Sequence, residues 1–149
     1  MKTFKPLEIE DISIITNMMQ DFYAIDNYPM DIEDAKKLFQ QFIADESLGK
    51  AWLIYHHDAI VGYVILTFVF SFEYKGRIAF LDELYLKEIS RGKGIGRQTI
   101  DFIKEQASQL NVKLIYLEVE NHNENAQKLY IASGFEMHNR KILKHKILK

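Results

Sequence analysis

Arg91-Gly92-Lys93-Gly94-Ile95-Gly96-Arg97 follows an apolar run, Ile78 to Leu86, and opens an amphipathic pattern that continues to Leu110. The run reads as a strand and the pattern as a helix with Ile95, Ile103, Ala107 and Leu110 inward. Glycine at 92, 94 and 96 removes side chains where the chain turns, so bare N–H groups can approach a ligand closely. A helix N-terminus directly behind them adds further donors and a partial positive charge. Arg91, Lys93 and Arg97 contribute full charges. This combination suits a pyrophosphate, with Gly92 to Arg97 as its seat.

The spacing narrows the ligand class. No G-x-x-x-x-G-K-[ST] string occurs, and the third glycine falls one residue early for G-x-G-x-x-G. What stands is R-x-x-G-x-G. Downstream, Asn123 to Phe135 reads N-x-x-A-x-x-L-Y-x-x-x-G-F. Asn123 suits a helix cap. Ala126, Leu129 and Tyr130 share a helical face, and Gly134 suits the left-handed residue that ends a helix. In this order, with a strand between, the two strings resemble those of the GNAT family of N-acetyltransferases. The resemblance is detailed from Ile78 to Phe135 and holds in outline from about residue 3 onward.

The remaining pattern agrees with that outline. Phe4 to Ile9 reads as a first strand, irregular at Pro6. Asp11 to Asp26 carries Ile12, Ile15, Met19 and Phe22 at helical spacing, and Asn27-Tyr28-Pro29 breaks it. Asp31 caps a second helix with Ala35, Leu38, Phe39, Phe42 and Ile43 as its stripe. Ala51 to His56 and Ile60 to Phe72 form a hairpin about His57-Asp58. Val112 to Glu120 reads as another strand, Asn123 to Ser133 as a helix, and Phe135 to Arg140 and Ile142 to Leu148 as closing strands. The expected fold is α+β, a mixed and splayed sheet flanked by helices, with 1–149 as one N-acetyltransferase domain.

Composition sets bounds. The chain has 149 residues, a net charge of −2 and no cysteine. Interspersed charges lack the basic face of a nucleic-acid binder. Without cysteine the fold needs no oxidising compartment, and an acetyl-cysteine intermediate is excluded. No basic start followed by an apolar segment marks a signal peptide. The longest apolar stretch, Ala59 to Phe72, is shorter than the roughly 20 residues that a membrane helix needs. A cytoplasmic protein is expected, with no membrane partner.

The resemblance implies acetyl-coenzyme A as donor, coenzyme A as product and an amine as acceptor; no metal is expected. It implies pantetheine along the backbone of Leu84, Tyr85 and Leu86, where the strand splays from its parallel neighbour. Gly92, Lys93, Gly94, Ile95, Gly96 and Arg97, with Arg91, then meet the pyrophosphate. Tyr130 resembles the tyrosine near the thioester sulfur, with a core tyrosine as the alternative. Asn123 resembles a cofactor-contacting residue, and capping alone also explains it. For the base, Asp82 and Glu83 lie in an apolar run where unpaired acids are costly. Neighbours in a strand point to opposite faces unless a bulge intervenes. Glu118 is a third candidate. Some polyamine-type members carry an acidic pair here in reversed order.

Phe22, Tyr23 and Tyr28 end the first helical region and are candidates to line an acceptor pocket. His56, His57, His138 and His145 read as solvated surface residues. The acids Asp82, Glu83, Asp21, Asp26, Asp31, Glu33 and Asp34 favour a small cationic acceptor; caps and solvated surface explain part of them equally. Two other readings stay open: a non-catalytic coenzyme A-binding or sensing module, and a different phosphate-ligand binder. Dimers are common in the family, so a homodimer is among the expected states.

Overall fold

The computed structural model describes residues 3–148. Its elements in chain order are β1 (Phe4–Pro6), α1 (Ile12–Ile25), α2 (Ile32–Ala44), β2 (Gly49–His56), β3 (Ala59–Ser71), β4 (Gly76–Leu86), α3 (Ile95–Gln109), β5 (Ile115–Leu117) and α4 (Glu124–Ala132). Single 3-10 turns, Ile9–Asp11 and Glu88–Ser90, precede α1 and the glycine loop. The five strands lie in sequence order in one sheet. β1 to β4 pair antiparallel, and β5 joins β4 in parallel. The chain resolves into two compact units, Met1–Glu118 and Val119–Lys149. Among the described residues no helix is long and apolar enough to cross a membrane.

Both faces of the sheet in the first unit are covered, which explains the near-continuous apolar character of β2 and β3. On one face Ile15, Met18 and Met19 of α1 and Phe39 of α2 pack on Leu53, Tyr63, Ile65 and Tyr85. On the other, Phe102 of α3 stacks on Phe4 at 4.1 Å between ring centroids and meets Trp52 edge-on at 5.3 Å. α3 buries Ile95, Thr99, Ile100, Ile103 and Ala107, so its inward face follows the expected pattern except at half-buried Leu110. In α2, Ala35 and Phe39 are buried. Leu38 lies at the rim of the stripe and is 64% exposed.

Pro6 ends β1, and the chain turns through Glu8 to Asp11, so the first strand is shorter than expected. The Asp11 carboxylate holds that turn by accepting from the Glu8 N–H at 3.0 Å and the Lys5 ammonium at 2.6 Å. β5 is also shorter than 112–120. Before it, Asn111 takes φ 63° and the Val112 N–H returns to the Ala107 carbonyl.

The closing strands are not formed. Residues 135–148 carry no strand, and Ile142, Leu143, Ile147 and Leu148 are all exposed. In Lys141 to Leu148 the apolar residues come as adjacent pairs between lysines. A strand would put one of each pair on either face, so neither face would be continuously apolar.

Candidate active site

The β4–β5 ladder runs from Ala79↔Ile115 to Leu81↔Leu117 and stops, while β4 continues to Leu86 against β3. The register of β3 and β4 shifts at this point: Ile65 pairs with Glu83 and Leu66 with Leu81, leaving Asp82 as the extra residue of a bulge. A bulge bends its strand and re-aims side chains. Beyond it, the Lys87 N–H donates to the Val61 carbonyl, so the backbone groups of Leu86 and Leu84 alternate to the opposite edge. That edge has no ladder partner among the described residues, which suits an extended ligand that pairs with backbone. The Leu86 carbonyl on it accepts from Arg91 Nε at 3.0 Å. The Arg91 guanidinium lies 6.0 Å from the centre of the Tyr85 ring.

After the Glu88–Ser90 turn, the glycine loop begins. Gly92 has φ 75°, and Gly94, which caps α3, has φ 81°. L-residues rarely hold such angles. A Cβ built on either glycine would meet nothing within 4 Å, so both stand open to a ligand. The first intrahelical bond runs from the Gln98 N–H to the Gly94 carbonyl. The N–H groups of Ile95, Gly96 and Arg97 therefore have no acceptor within the helix. The Ile95 side chain is buried and anchors the loop. This cradle fits a pyrophosphate.

The cations are distributed unevenly around it. Arg97 makes an exposed 3.7 Å pair with Asp101, an arrangement worth little in water. Lys93 lines a cleft of about 160 Å³ with Thr3, Tyr55, His56, His57, Ile95 and Gln98. The two hairpin histidines are therefore neighbours of the loop, a placement that a turn of polar residues does not reveal.

The acidic pair turns to different partners. Glu83 Oε2 accepts from the Tyr23 hydroxyl and Oε1 from the Tyr63 hydroxyl, both at 2.7 Å. Burial pushes the Glu83 carboxyl above the ordinary carboxylate range, and the two phenols pull it partly back. Burial, then Glu83, raises the Tyr23 phenol; burial and the Glu83 charge also raise Tyr63. Asp82 is exposed along its outer side, yet the protein around it and then Glu118 raise its carboxyl as well. Phe22, Tyr63 and Tyr85 form an aromatic wall beside Glu83, with Phe22 5.3 Å from Tyr85 and Tyr63 5.7 Å from Tyr85. Tyr63 sits in a long apolar run and reads from sequence only as core. Its place beside the site follows from the β3–β4 register, in which it lies opposite Tyr85, and no sequence signal marks it.

Other acids have structural work. Asp31 caps α2 by accepting from the Asp34 N–H at 2.9 Å, and Glu33 pairs with Lys36. Of the acids on the first two helices, Asp21 acts on the site, raising Tyr85 after burial. Among the described residues no group of three His, Asp or Glu side chains is arranged to hold a metal.

In the second unit, Asn123 Oδ1 accepts from the Ala126 N–H at 3.1 Å, the expected cap. Gly134 takes φ 100° after α4, as its position requires. Tyr130 is half-buried on α4, and its ring meets Phe135 edge-on at 5.8 Å. Burial pushes its phenol up to about 12, so it stays protonated at neutral pH.

Comparison with known proteins gives a consistent result. The model of the Acetyltransferase (GNAT) family matches residues 14–135. The D-amino-acid N-acetyltransferase HPA3 of Saccharomyces cerevisiae is 26% identical over 137 residues, covering 89% of this chain and 83% of that enzyme. The thialysine N-epsilon-acetyltransferase of Bos taurus is 36% identical over 75 residues, covering 50% of this chain and 44% of that enzyme. Among solved structures, an integron cassette protein from the Cole Harbour Salt Marsh metagenome superposes with a TM-score of 0.89 at 26% identity, covering 99% of this chain and 91% of the other. A predicted acetyltransferase from Clostridium acetobutylicum, solved with acetyl-CoA, has the same fold with a TM-score of 0.80 at 17% identity, covering 95% and 94%. The chain therefore belongs to the GNAT family, and it is an N-acetyltransferase that uses acetyl-CoA.

Proposed function

We propose that this enzyme acetylates the amine of a small cationic acceptor by direct attack in a ternary complex, with Glu83 as base. The observation that carries this reading is the Glu83 carboxylate, fixed at 2.7 Å by two phenols next to the free edge of β4. Its raised pKa brings it closer to the range in which a general base is effective. Leu84 to Leu86 would hold the pantetheine arm, and Gly92 to Arg97, with Arg91, the pyrophosphate. Asn123, whose oxygen is engaged in its cap, would contribute through its remaining polar groups.

In this scheme the acceptor ammonium gives a proton to Glu83, directly or through water. Its nitrogen lone pair forms the bond to the acetyl carbon as the carbon–sulfur bond breaks. The acylated nitrogen sheds its second proton to water. The departing thiolate takes the proton of Tyr130, the role that the family resemblance gives to this residue, and Tyr130 recovers one from water. With no cysteine in the sequence, no thiol is present to carry the acetyl group.

Charge supports the acceptor class. Asp82, Glu83 and Glu118 lie together, and among the described residues none forms an ion pair with Lys or Arg. A protonated amine would supply the missing countercharge. The relatives named for D-amino acids and thialysine likewise favour a small amine. The family match extends from residue 14 to 135, which supports treating 1–149 as one catalytic domain. A cytoplasmic location and a homodimer belong to the same reading; fractionation and light scattering test them.

Thiol release with a panel of polyamines, amino acids and aminoglycosides identifies the acceptor. With that acceptor, initial-rate plots should intersect and rising salt should increase its KM. Glu83→Gln should lower kcat/KM by about 100-fold, within the range for loss of a general base, while acetyl-CoA affinity by calorimetry stays within about twofold. Wild-type kinetics in the folded variant would remove Glu83 from the mechanism.

A further inference from the structure

Glu83 is gripped from two elements far apart in sequence. Tyr63 comes from β3, is fully buried and lies opposite Tyr85 in the ladder. Tyr23 comes from α1 near its C-terminal end. Each hydroxyl donates to a different carboxylate oxygen. An ionised carboxylate accepts both bonds without competition, whereas a protonated one must turn one oxygen into a donor. The arrangement thus selects the anion. Two bonds from different elements to different oxygens also limit the rotation of the carboxylate.

The chemistry of the donors matters. Among the described residues no Lys or Arg pairs with Glu83. An ion pair would neutralise the carboxylate and favour its charged form strongly, weakening it as a proton acceptor. Phenols orient the anion without cancelling its charge. Of the other charged groups, Asp82 acts on Glu83 directly, Glu118 acts on Asp82, and Asp21, Arg91 and Glu88 act on the neighbouring Tyr85. Burial and Asp82 oppose its ionisation, and the two phenols are the groups that favour it.

We infer that Tyr23 and Tyr63 are positioning residues that hold Glu83 ionised and in a single orientation, with Tyr23 tying the strand carboxylate to α1. The functional value of this clamp rests on the reading of Glu83 as base, and the two ideas fail separately.

The test follows the Glu83 carboxyl carbon by NMR in protein labelled at glutamate Cδ, assigned by its loss in Glu83→Gln. Tyr23→Phe is the primary variant, because the position is half-buried and the ring is kept. Removing a hydrogen bond to the charged form disfavours that form, so the titration midpoint should move to higher pH. A hydrogen bond to an ionised group corresponds to about a tenfold change in the acid constant. Tyr63→Phe should move the midpoint the same way. If Glu83 is the base, the acidic limb of kcat/KM should shift in parallel, while the KM for acetyl-CoA stays unchanged. An unmoved midpoint in folded Tyr23→Phe and Tyr63→Phe, even with a lower Tm, would overturn the clamp. A moved midpoint with an unmoved rate limb would uphold the clamp and remove Glu83 as base.

Discussion

At Gly94 a single hydrogen atom in place of a side chain permits the backbone angle and leaves the loop surface open. Its φ of 81° caps α3, and the space where a Cβ would stand is open. Valine there would hold a left-handed angle at a cost of roughly 1–3 kcal/mol and would project into the proposed phosphate seat. We expect Gly94→Val to remain folded with reduced stability and to lose at least about tenfold in acetyl-CoA affinity, an estimate from the loss of approach to the helix N-terminus. Calorimetry on the folded variant measures this, and unchanged affinity would move the cofactor elsewhere. The acidic neighbours show a different residue-scale effect. Asp82 and Glu83 are chemically similar and adjacent, yet Glu83 is held by two phenols while Asp82, the extra residue of the bulge, is exposed and feels the charge of Glu118.

Among elements, the β3–β4 pair does most to shape the site. Gly62 of β3 lies opposite Leu86, and a Cβ on it would fall 2.0 Å from the Tyr85 carbonyl oxygen. Backbone cannot yield there without shifting the end of β4, where Leu84 to Leu86 offer their free edge. Gly62→Ala should therefore cost about 2 kcal/mol, the usual scale of overpacking, and weaken acetyl-CoA binding as well. Urea denaturation and calorimetry on the same preparation check both effects. A neutral substitution would mean that β3 and β4 separate more easily than their geometry implies. The bulge acts in the other direction along the same strand, since β5 pairing ends one residue before it.

For the whole molecule, the two acidic residues of β4 carry a stability cost. Burial raises the Glu83 and Asp82 carboxyls above their ordinary values. A carboxyl whose folded-state pKa exceeds its unfolded value binds more protons when folded within that window. Unfolding free energy therefore falls as pH rises from the ordinary carboxylate range, about 4, through the raised folded-state values. Glu83→Gln should flatten this slope and gain stability at neutral pH while losing activity. Urea melts from pH 4 to pH 8 provide the comparison; an equal slope in the variant would assign the pH dependence to other groups.

The glycine loop, the Asn123 cap, Gly134 and most helix and strand positions were legible in the sequence because they depend on local chemistry. A left-handed angle requires glycine, a cap requires a short oxygen-bearing side chain, and a buried face repeats with the period of its element. The family resemblance drew on these same residues. The expectation of strands failed at 135–148, where no strand forms and Ile142, Leu143, Ile147 and Leu148 are exposed. Tertiary structure alone decided the bulge at Asp82, the early end of β5 and the meeting of Tyr23, Tyr63 and Glu83. Those features depend on the register between strands and the packing of α1 on the sheet, which join residues 20 and 60 positions apart. No local pattern encodes a hydrogen bond across such separations. A tyrosine in an apolar run reads as core until the fold shows where its hydroxyl points.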